Sequence, residues 1–397
     1  MTMKPLFGKL LGEAQRLTRG GKLLDATAAI QRALGGAAEV PRARSAASGG
    51  VVLEGLVRER DERAPTARPR FDAGLSKPRA ASPAGSRPAG RFEESVFTGT
   101  SGSRTYKLYV PTAASPRAPG LVVMLHGCTQ SPDDFAAGTR MNALAEEHGF
   151  VVLYPEQAPR SNSSKCWNWF VPGDQRRGGG EPELLAAMTR HIVATEGIDG
   201  ARVYAAGLSA GGAMAAILGR EYPDLYAAVG VHSGLPQGAA HDVASAFSAM
   251  QGGAVPAGLG GLPSAGLFGV AQAAPAAARA PGAGAPVIVF HGDRDSTVHP
   301  GNGQQVVAAA LDTASAAGGI VTDRETTTAG GRTVSRTVHR SARSAGAGPA
   351  LAEHWVVHGA GHAWSGGSTA GSYTDVQGPD ASREMVRFFE THPLASR

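Results

Sequence analysis

The sequence predicts an α/β fold in which a mostly parallel central sheet is flanked by helices. Continuous apolar runs such as LVVMLHG (121–127) and GFVVLYP (149–155) are typical of strands that are covered on both faces of a sheet. Segments with helical periodicity separate these runs along the chain, and strands that alternate with helices indicate parallel pairing. The hydrophobic content of 42% in 397 residues is sufficient for a large core.

The individual elements are predicted in chain order as follows. Strands are predicted at TYKLYVP (105–111), LVVMLHG (121–127), GFVVLYP (149–155), RVYAAG (202–207), YAAVGVHSG (226–234), PVIVFHG (286–292) and HWVVHG (354–359). Helices are predicted at 141–149, 183–197, 210–223, 304–315 and 382–392. A hairpin is predicted around Gly330-Gly331. The segment 236–285 is rich in Gly, Ala and Pro and is predicted to be an insert, in which 241–250 forms a short helix.

The charge is distributed unevenly along the chain. The net charge is +5, but residues 1–92 carry 17 Lys and Arg against 8 Asp and Glu, a net charge of +9, which leaves −4 for the rest. A basic balance points to an anionic partner. Such a partner, for example an anionic or granule surface, is therefore expected only for the N-terminal segment. No nucleic-acid partner is expected.

Three regions are predicted from composition and periodicity. Residues 1–36 show the pattern of a helical hairpin, and residues 37–92, rich in Ala, Pro, Arg and Ser, read as a flexible basic linker. Residues 93–397 form the main domain, which includes the insert at 236–285. No stretch approaches the roughly 18 apolar residues of a membrane span. The N-terminus has no evident signal peptide.

The pentapeptide Gly207-Leu208-Ser209-Ala210-Gly211 fits the G-x-S-x-G pattern of a nucleophile elbow. The pattern alone is weak in a glycine-rich chain, but it lies between an apolar strand and an Ala-rich helix, where such an elbow is found. A serine hydroxyl becomes a good nucleophile when a base takes its proton and an acid orients that base. Ser209 is therefore the candidate nucleophile.

A candidate acid and a candidate base follow the serine in the chain order expected for this elbow. The loop after the strand at 286–292 contains both Asp293 and Asp295, of which Asp295 is favoured while Asp293 stays open. His362 lies in a glycine-rich loop after the last strand, which suits a base that projects from a loop. Four other histidines lie on strands or end them and are predicted to have structural roles: His126, His291, His354 and His358.

Two main-chain N–H groups are needed to stabilise the oxyanion that develops during acyl transfer. One is assigned to Ala210, directly after the serine, and the other to Cys128, in the loop after an early strand. No metal ion and no organic cofactor is expected.

The chain resembles the family of poly(3-hydroxybutyrate) depolymerases, which also includes feruloyl and acetylxylan esterases, in the motifs HGCTQ (126–130), CWNWF (166–170), GLSAGGAM (207–214), FHGDRDSTVHP (290–300) and GAGHAWSGG (359–367). The resemblance covers about residues 93–392 and implies the α/β-hydrolase fold. It implies a catalytic triad of Ser209, Asp295 and His362, with Cys128 at the oxyanion hole, and it favours Asp295 over Asp293.

The same resemblance implies a disulfide between Cys128 and Cys166, the two cysteines of the chain, with two buried free thiols as the alternative. Four side chains near these cysteines are assigned to substrate binding, although the aromatic ones also fit a local core of their loop. They are Gln130, Trp167, Trp169 and Phe170.

The expected function is that of a serine esterase that hydrolyses carboxylic esters through an acyl-enzyme, with poly(3-hydroxybutyrate) or related hydroxyalkanoate polymers and oligomers as substrates. The alternative substrates are feruloyl or acetylxylan esters of plant cell walls. A non-enzymatic alternative is a granule- or surface-binding protein that acts through residues 1–92. The resemblance and the cysteine pair favour an extracellular location, whereas the lack of an evident signal peptide leaves the cytoplasm open.

Overall fold

The computed structural model describes residues 57–59, 90–112, 118–252, 284–316, 319–344 and 348–395. The predicted helical hairpin at 1–36, most of the predicted linker and a large part of the predicted insert lie outside the described residues. None of the helices within the described ranges combines the length and the apolar character that a membrane crossing requires.

Most of the strands belong to one large sheet. They are β1 (Val57–Glu59), β2 (Arg91–Gly99), β3 (Gly102–Val110), β4 (Leu121–Leu125), β5 (Val151–Pro155), β6 (Val203–Leu208), β7 (Ala228–His232), β8 (Val287–Gly292), β9 (Ile320–Ala329), β10 (Arg332–Ser341), β11 (Ala352–Val357), β12 (Trp364–Ser365) and β13 (Thr374–Asp375). The order in the large sheet is β1-β9-β10-β11-β8-β7-β6-β4-β5-β3-β2, and β12 pairs with β13. The six strands from β11 to β5 are parallel to one another, as predicted.

Two antiparallel hairpins, β9–β10 and β2–β3, flank the parallel strands. The predicted hairpin at Gly330-Gly331 is confirmed, because both glycines join β9 to β10 with positive φ angles of 58° and 95°. A positive φ is readily adopted by glycine, and the tight turns of hairpins require it. The sheet is therefore mixed only at its two ends, and its parallel centre carries the site described below.

Helices cover both faces of the sheet. They are α1 (Pro132–Thr139), α2 (Met141–His148), α3 (Gly180–Thr195), α4 (Ala210–Glu221), α5 (Val243–Met250), α6 (Gly301–Ala316) and α7 (Ala381–Glu390). Alternate residues of β4 belong to opposite cores: Leu121 and Val123 pack with α3, α4 and α6, whereas Val122 and Met124 pack with α1, α2 and α7. Every residue of β4 is buried, which explains why the strand reads as a continuous apolar run.

Three parts of the fold have no counterpart in the sequence prediction. The edge strand β2 is largely exposed, so it lacks the apolar pattern of the inner strands. Helix α1 spans only eight residues, and its start is set by Ser131, whose side chain accepts the N–H of Asp134. The pair β12–β13 spans two residues per strand. Short or exposed elements give a weak periodic signal.

The prediction of a flexible linker at 37–92 is wrong for the few residues in this range that form strands in the structure. Val57–Glu59 pairs in parallel with residues 322–324 of β9, and β2 begins at Arg91, two residues before the predicted domain start. Main-chain pairing at a sheet edge requires no particular side chain, so composition does not reveal it. In the insert, the predicted short helix is confirmed as α5, whose N-cap residue Asp242 forms a reciprocal capping box with Ser245.

Candidate active site

Ser209 lies on a sharp turn between β6 and α4, at the carboxyl edge of the parallel sheet. Its φ and ψ angles are 58° and −119°, a conformation that L-residues rarely adopt. Its N–H donates to the carbonyl oxygen of His232 on the neighbouring strand at 2.9 Å. A strained strand-to-helix turn of this kind is the geometry of a nucleophile elbow.

The small residues around Ser209 are required by close main-chain approaches. A Cβ atom on Gly207 would lie 2.4 Å from the carbonyl oxygen of Gly211, and a Cβ on Gly211 would lie 2.0 Å from that of Leu125. Both distances are far shorter than real contacts. The glycines of the pentapeptide therefore allow α4 to start directly against β4 and β6.

The structure brings Asp295 and His362 together. Asp295 follows β8 and His362 follows β11, and Oδ2 of Asp295 lies 2.7 Å from Nδ1 of His362. The other carboxylate oxygen of Asp295 accepts the N–H groups of Thr297 at 2.9 Å and Val298 at 2.8 Å. The carboxylate thus has a fixed orientation, with one oxygen held by the main chain and the other directed at His362.

Asp293 has different partners. Its carboxylate lies 2.8 Å from Nδ1 of His358 and accepts the N–H of Gly359 at 2.7 Å. These contacts hold the end of β11 and the start of the following loop. The pairing in the structure therefore separates the two aspartates that the sequence left open.

Asp295 stays ionised in its buried position. Burial on its own would raise the pKa of this carboxyl group, but hydrogen bonds from His291 and His362, the positive charge that His362 can carry and the N–H of Val298 together lower the pKa well below its usual value. His291 lies 3.4 Å from Oδ2 of Asp295 through Nε2 and 2.8 Å from the carbonyl oxygen of Val298. An ionised carboxylate can orient the imidazole and stabilise its charged form.

Ser209 and His362 lie at the same edge of the sheet, because β6, β8 and β11 run parallel and each of these residues follows a carboxyl end. The side chain of His362 is 12% exposed. Within the described residues, neither Oγ of Ser209 nor Nε2 of His362 has a hydrogen-bond partner. Since Nδ1 is bound to Asp295, Nε2 is the ring atom available to take a proton.

In the loop after β4, the N–H of Cys128 differs from those of its nearest neighbours. Gly127 donates to Oε1 of Gln130 at 2.8 Å, Thr129 donates to the carbonyl oxygen of Ser164 at 2.8 Å, and Gln130 donates to that of Gly127 at 3.3 Å. The N–H of Cys128 has no partner in the described parts of the chain, and neither has that of Ala210, the first residue of α4. These are the two N–H groups that the sequence assigns to the oxyanion.

A disulfide joins Cys128 to Cys166, with 4.2 Å between the two Cα atoms. The pairing implied by the family resemblance is therefore present. Cys166 lies in a loop that is itself held by side chains, because its carbonyl oxygen accepts from Nε2 of Gln157 at 2.9 Å and its N–H donates to Oδ1 of Asn162 at 3.3 Å. The disulfide fixes the oxyanion loop to this second loop.

Replacing both cysteines with serine is expected to lower the free energy of unfolding by about 3–4 kcal/mol, because the disulfide spans 38 residues. The rate of any acyl transfer at Ser209 should fall by less than the roughly 10²-fold typical of a lost oxyanion donor, since Thr129 and Gln130 still hold the loop. Urea unfolding and initial rates measure both effects, with the reduced wild-type protein as a control. Unchanged stability and rate in the double variant would contradict this role.

Most of the predicted substrate-binding side chains do not face solvent. The prediction is wrong for Trp167, which is 0% exposed and donates from Nε1 to the carbonyl oxygen of His126. It is also wrong for Gln130, which is 3% exposed and whose amide is bound to Gly127 and Asp134. These buried side chains stabilise their own loops through hydrogen bonds, because a buried indole N–H or amide group requires a hydrogen-bond partner. Trp169 is also buried, at 5% exposure, whereas the partly exposed Phe170 stays a prediction.

Several buried histidines support the site, as predicted for His126 and His291. Nε2 of His126 accepts the N–H of Gln157 at 3.1 Å, and its Nδ1 lies 2.7 Å from the carbonyl oxygen of Gly127. His232, at the end of β7, is a site residue that the sequence did not predict, because a polar residue closing a buried strand is its only signal. Among the described residues, no group of three or more His, Cys, Asp or Glu side chains is arranged to hold a metal ion.

The stability of the protein is expected to fall as the pH drops from about 6.5 to 5. Burial lowers the pKa of His126 and His354 to about 4 and that of His232 to about 3. Histidines in the unfolded chain titrate near 6.5 and so take up protons that the native state does not bind. Each histidine should then cost at most about 1.4 kcal/mol per pH unit, a slope that is approached toward pH 5 as the unfolded imidazole becomes fully protonated.

Urea unfolding at pH 7, 6 and 5 measures this loss of stability. A His354→Gln variant is the matched control. The pH dependence of its free energy of unfolding should correspond to the uptake of about one proton fewer on unfolding than in the wild type. A free energy of unfolding that is constant across this range would show that the three histidines are not buried in their neutral form.

Comparisons with known proteins are consistent in pointing to esterases. A family model described as Esterase PHB depolymerase matches residues 104–333, which include Ser209 and Asp295. Poly(3-hydroxyalkanoate) depolymerase C of Paucimonas lemoignei is 38% identical over 201 residues, which cover 50% of this chain and 46% of the relative. Feruloyl esterase B of Neurospora crassa is 32% identical over 139 residues, which cover 35% of this chain and 46% of the relative. The chain thus spans about half the length of these curated relatives.

Among solved structures, an acetyl xylan esterase from Aspergillus awamori superposes with a TM-score of 0.53. The alignment covers 76% of this chain and 100% of the other, at 20% sequence identity. At that identity the similarity concerns the fold alone.

Proposed function

Because the chain belongs to the Esterase PHB depolymerase family and has the predicted α/β-hydrolase fold, we propose that it is a serine esterase with Ser209 as nucleophile. The observation that carries this proposal is the hydrogen bond between Asp295 and His362, at the sheet edge where the strained Ser209 turn is located. An acid, a base and a serine in this order and arrangement are what acyl transfer requires.

In the proposed reaction, Nε2 of His362 takes the proton of Ser209 as Oγ attacks the ester carbonyl carbon. Asp295 holds the ring through Nδ1 and stabilises the imidazolium. The N–H groups of Cys128 and Ala210 stabilise the oxyanion of the tetrahedral intermediate. When this intermediate collapses, His362 protonates the leaving alkoxide, and the acyl group stays on Ser209.

Water then completes the reaction. His362, neutral again, removes a proton from a water molecule, which attacks the acyl-enzyme carbonyl. Collapse of the second intermediate releases the carboxylic acid and returns the proton to Ser209. This sequence requires no group beyond the side chains and N–H groups already named.

The proposed substrates are poly(3-hydroxybutyrate) or related hydroxyalkanoate polymers and oligomers. The hydroxyalkanoate depolymerase relative, with higher identity over a longer match than the feruloyl esterase relative, supports this choice. Feruloyl or acetylxylan esters are the alternative.

Initial rates on hydroxybutyrate oligomers, polymer suspension, feruloyl esters and acetylated xylan test the choice of substrate. The proposal predicts the highest kcat/KM on hydroxybutyrate oligomers. Fast release of ferulate or acetate without cleavage of oligomers or polymer would favour the alternative.

We also propose an extracellular location. The Cys128–Cys166 disulfide supports it, because disulfides persist in oxidising compartments and are rare in the cytosol.

The basic residues of 1–92 suggest a second, non-catalytic function in binding an anionic or granule surface. Removing 1–54 and replacing the Lys and Arg residues between 60 and 89 with Gln leaves β1 and β2 in place. The proposal predicts unchanged kcat on soluble oligomers and reduced sedimentation with polymer granules. Undiminished sedimentation would contradict it.

A further inference from the structure

His232, the last residue of β7, lies between the strands that lead to the nucleophile and to the acid. In the sheet it is level with Leu208 of β6, the residue before Ser209, and with Phe290 of β8. Its carbonyl oxygen accepts the N–H of Ser209 at 2.9 Å. The main chain of His232 is therefore part of the base of the nucleophile elbow.

The side chain of His232 reaches the loop that carries the candidate base. Its Nε2 accepts the N–H of Ser365 at 3.0 Å, and Ser365 lies in the short strand β12, directly after the loop that carries His362. The ring stacks between Phe290, at a centroid distance of 5.8 Å, and Trp364, at 5.1 Å. His232 thus contacts all three segments of the site, the nucleophile turn through its main chain and the other two through its ring.

These contacts require a single form of the ring. Since Nε2 accepts from Ser365, the proton must be on Nδ1, which lies 3.2 Å from Oγ of Ser233. Ser233 is itself fixed, because its N–H donates to the carbonyl oxygen of Phe290 at 2.9 Å. A protonated imidazole would direct a second N–H at the N–H of Ser365 and break the contact.

The surroundings keep the ring neutral. His232 is 1% exposed, and burial, followed by the positive charges that His291 and His362 can carry, lowers its pKa to about 3 against the opposing charge of Asp295. A neutral neighbour does not repel the imidazolium that forms on His362 during acyl transfer. The contact to Ser365 is therefore maintained throughout the neutral pH range.

We propose that His232 is a positioning residue, whose imidazole holds the His362 loop against the nucleophile elbow through Ser365. It contacts none of the reacting atoms. The inference rests on the proposed esterase function, because it assigns a role within the same triad.

Two substitutions of His232 distinguish the effect of the hydrogen bond to Ser365 from the effect of losing the ring. In His232→Gln, Oε1 reaches the position of Nε2 and can accept from Ser365, whereas the shorter side chain of His232→Asn cannot. Both variants lose the stacked ring. His232→Asn is expected to lower kcat on soluble oligomers about 10²-fold, as a displacement of about 1 Å does, with a much smaller change in KM. His232→Gln should restore most of kcat.

His392→Asn is the matched control, because this histidine is also buried and stacked but lies after α7. It is 6% exposed, stacks on Phe388 at 4.1 Å and bonds the carbonyl oxygen of Ala350 at 2.7 Å. This variant should lose stability yet keep the wild-type kcat per folded molecule, with the folded fraction measured by circular dichroism.

Equal kcat values for His232→Gln and His232→Asn would overturn the inference, and so would an equal loss in His392→Asn. Failure of the proposed function has a different signature. In that case the unmodified chain would hydrolyse no ester, whichever residue stands at position 232.

Discussion

Replacing Ser209 with alanine is expected to lower kcat for ester hydrolysis roughly 10⁶-fold, because the acyl-enzyme cannot form without its hydroxyl group. The fold should be unaffected, since Oγ of Ser209 has no hydrogen-bond partner within the part of the chain that the structure describes. Initial rates on a soluble hydroxybutyrate oligomer measure the loss. Thermal unfolding should show a melting temperature close to that of the wild type.

Ser233→Ala is the matched control for Ser209→Ala. Ser233 also has a positive φ at the carboxyl edge of the sheet, 50° against 58° for Ser209, but it follows β7 and is 0% exposed. Its loss removes the contact to Nδ1 of His232 and should lower kcat at most about 10²-fold, which is far less than the loss of Ser209. A Ser209→Ala variant that kept a rate within tenfold of the wild type would contradict the assignment of the nucleophile.

Replacing Asp295 with asparagine is expected to lower kcat about 10⁴-fold. Because Oδ1 of Asp295 accepts two N–H groups, from Thr297 and Val298, the asparagine oxygen should occupy that position and direct its NH₂ group at His362. The NH₂ group would then donate to Nδ1, which places the ring proton on Nε2. In that tautomer the imidazole cannot take the proton of Ser209.

Asp293→Asn is the control for this prediction, because Asp293 contacts His358 and Gly359 instead. It should keep kcat within a few-fold of the wild type, since none of its contacts involves His362. Parallel kcat measurements on the two variants decide between the aspartates. A larger loss in Asp293→Asn than in Asp295→Asn would reverse the assignment of the acid.

The sequence predicts the centre of the fold well because its signals are local. Buried parallel strands read as apolar runs, and the elbow pentapeptide needs glycine for close approaches that the structure shows at Gly207 and Gly211. The residues alone favour Asp295 but leave Asp293 open, and the family resemblance adds weight to Asp295. The structure distinguishes them physically, by the loop geometry that places one carboxylate at His362 and the other at His358.

The sequence could not predict features that depend on long-range packing. Trp167 looks like a substrate contact in a loop motif, but its indole is enclosed and bonds a carbonyl group that is distant in sequence. The position of His232 between the nucleophile and the base depends on strand order, which brings β7 between β6 and β8. The hydrogen bond from Ser365 to His232 joins residues that are 133 positions apart, so no local sequence pattern can predict it.

The most direct test of the proposed serine esterase is covalent labelling by a fluorophosphonate, followed by peptide mass spectrometry. If Ser209 is the nucleophile, one adduct per chain should form on Ser209, and ester hydrolysis should be lost in proportion to labelling. The Ser209→Ala variant should remain unlabelled. Hydrolysis that persists after complete labelling of Ser209, or an inactivating adduct on another residue, would show that Ser209 is not the nucleophile.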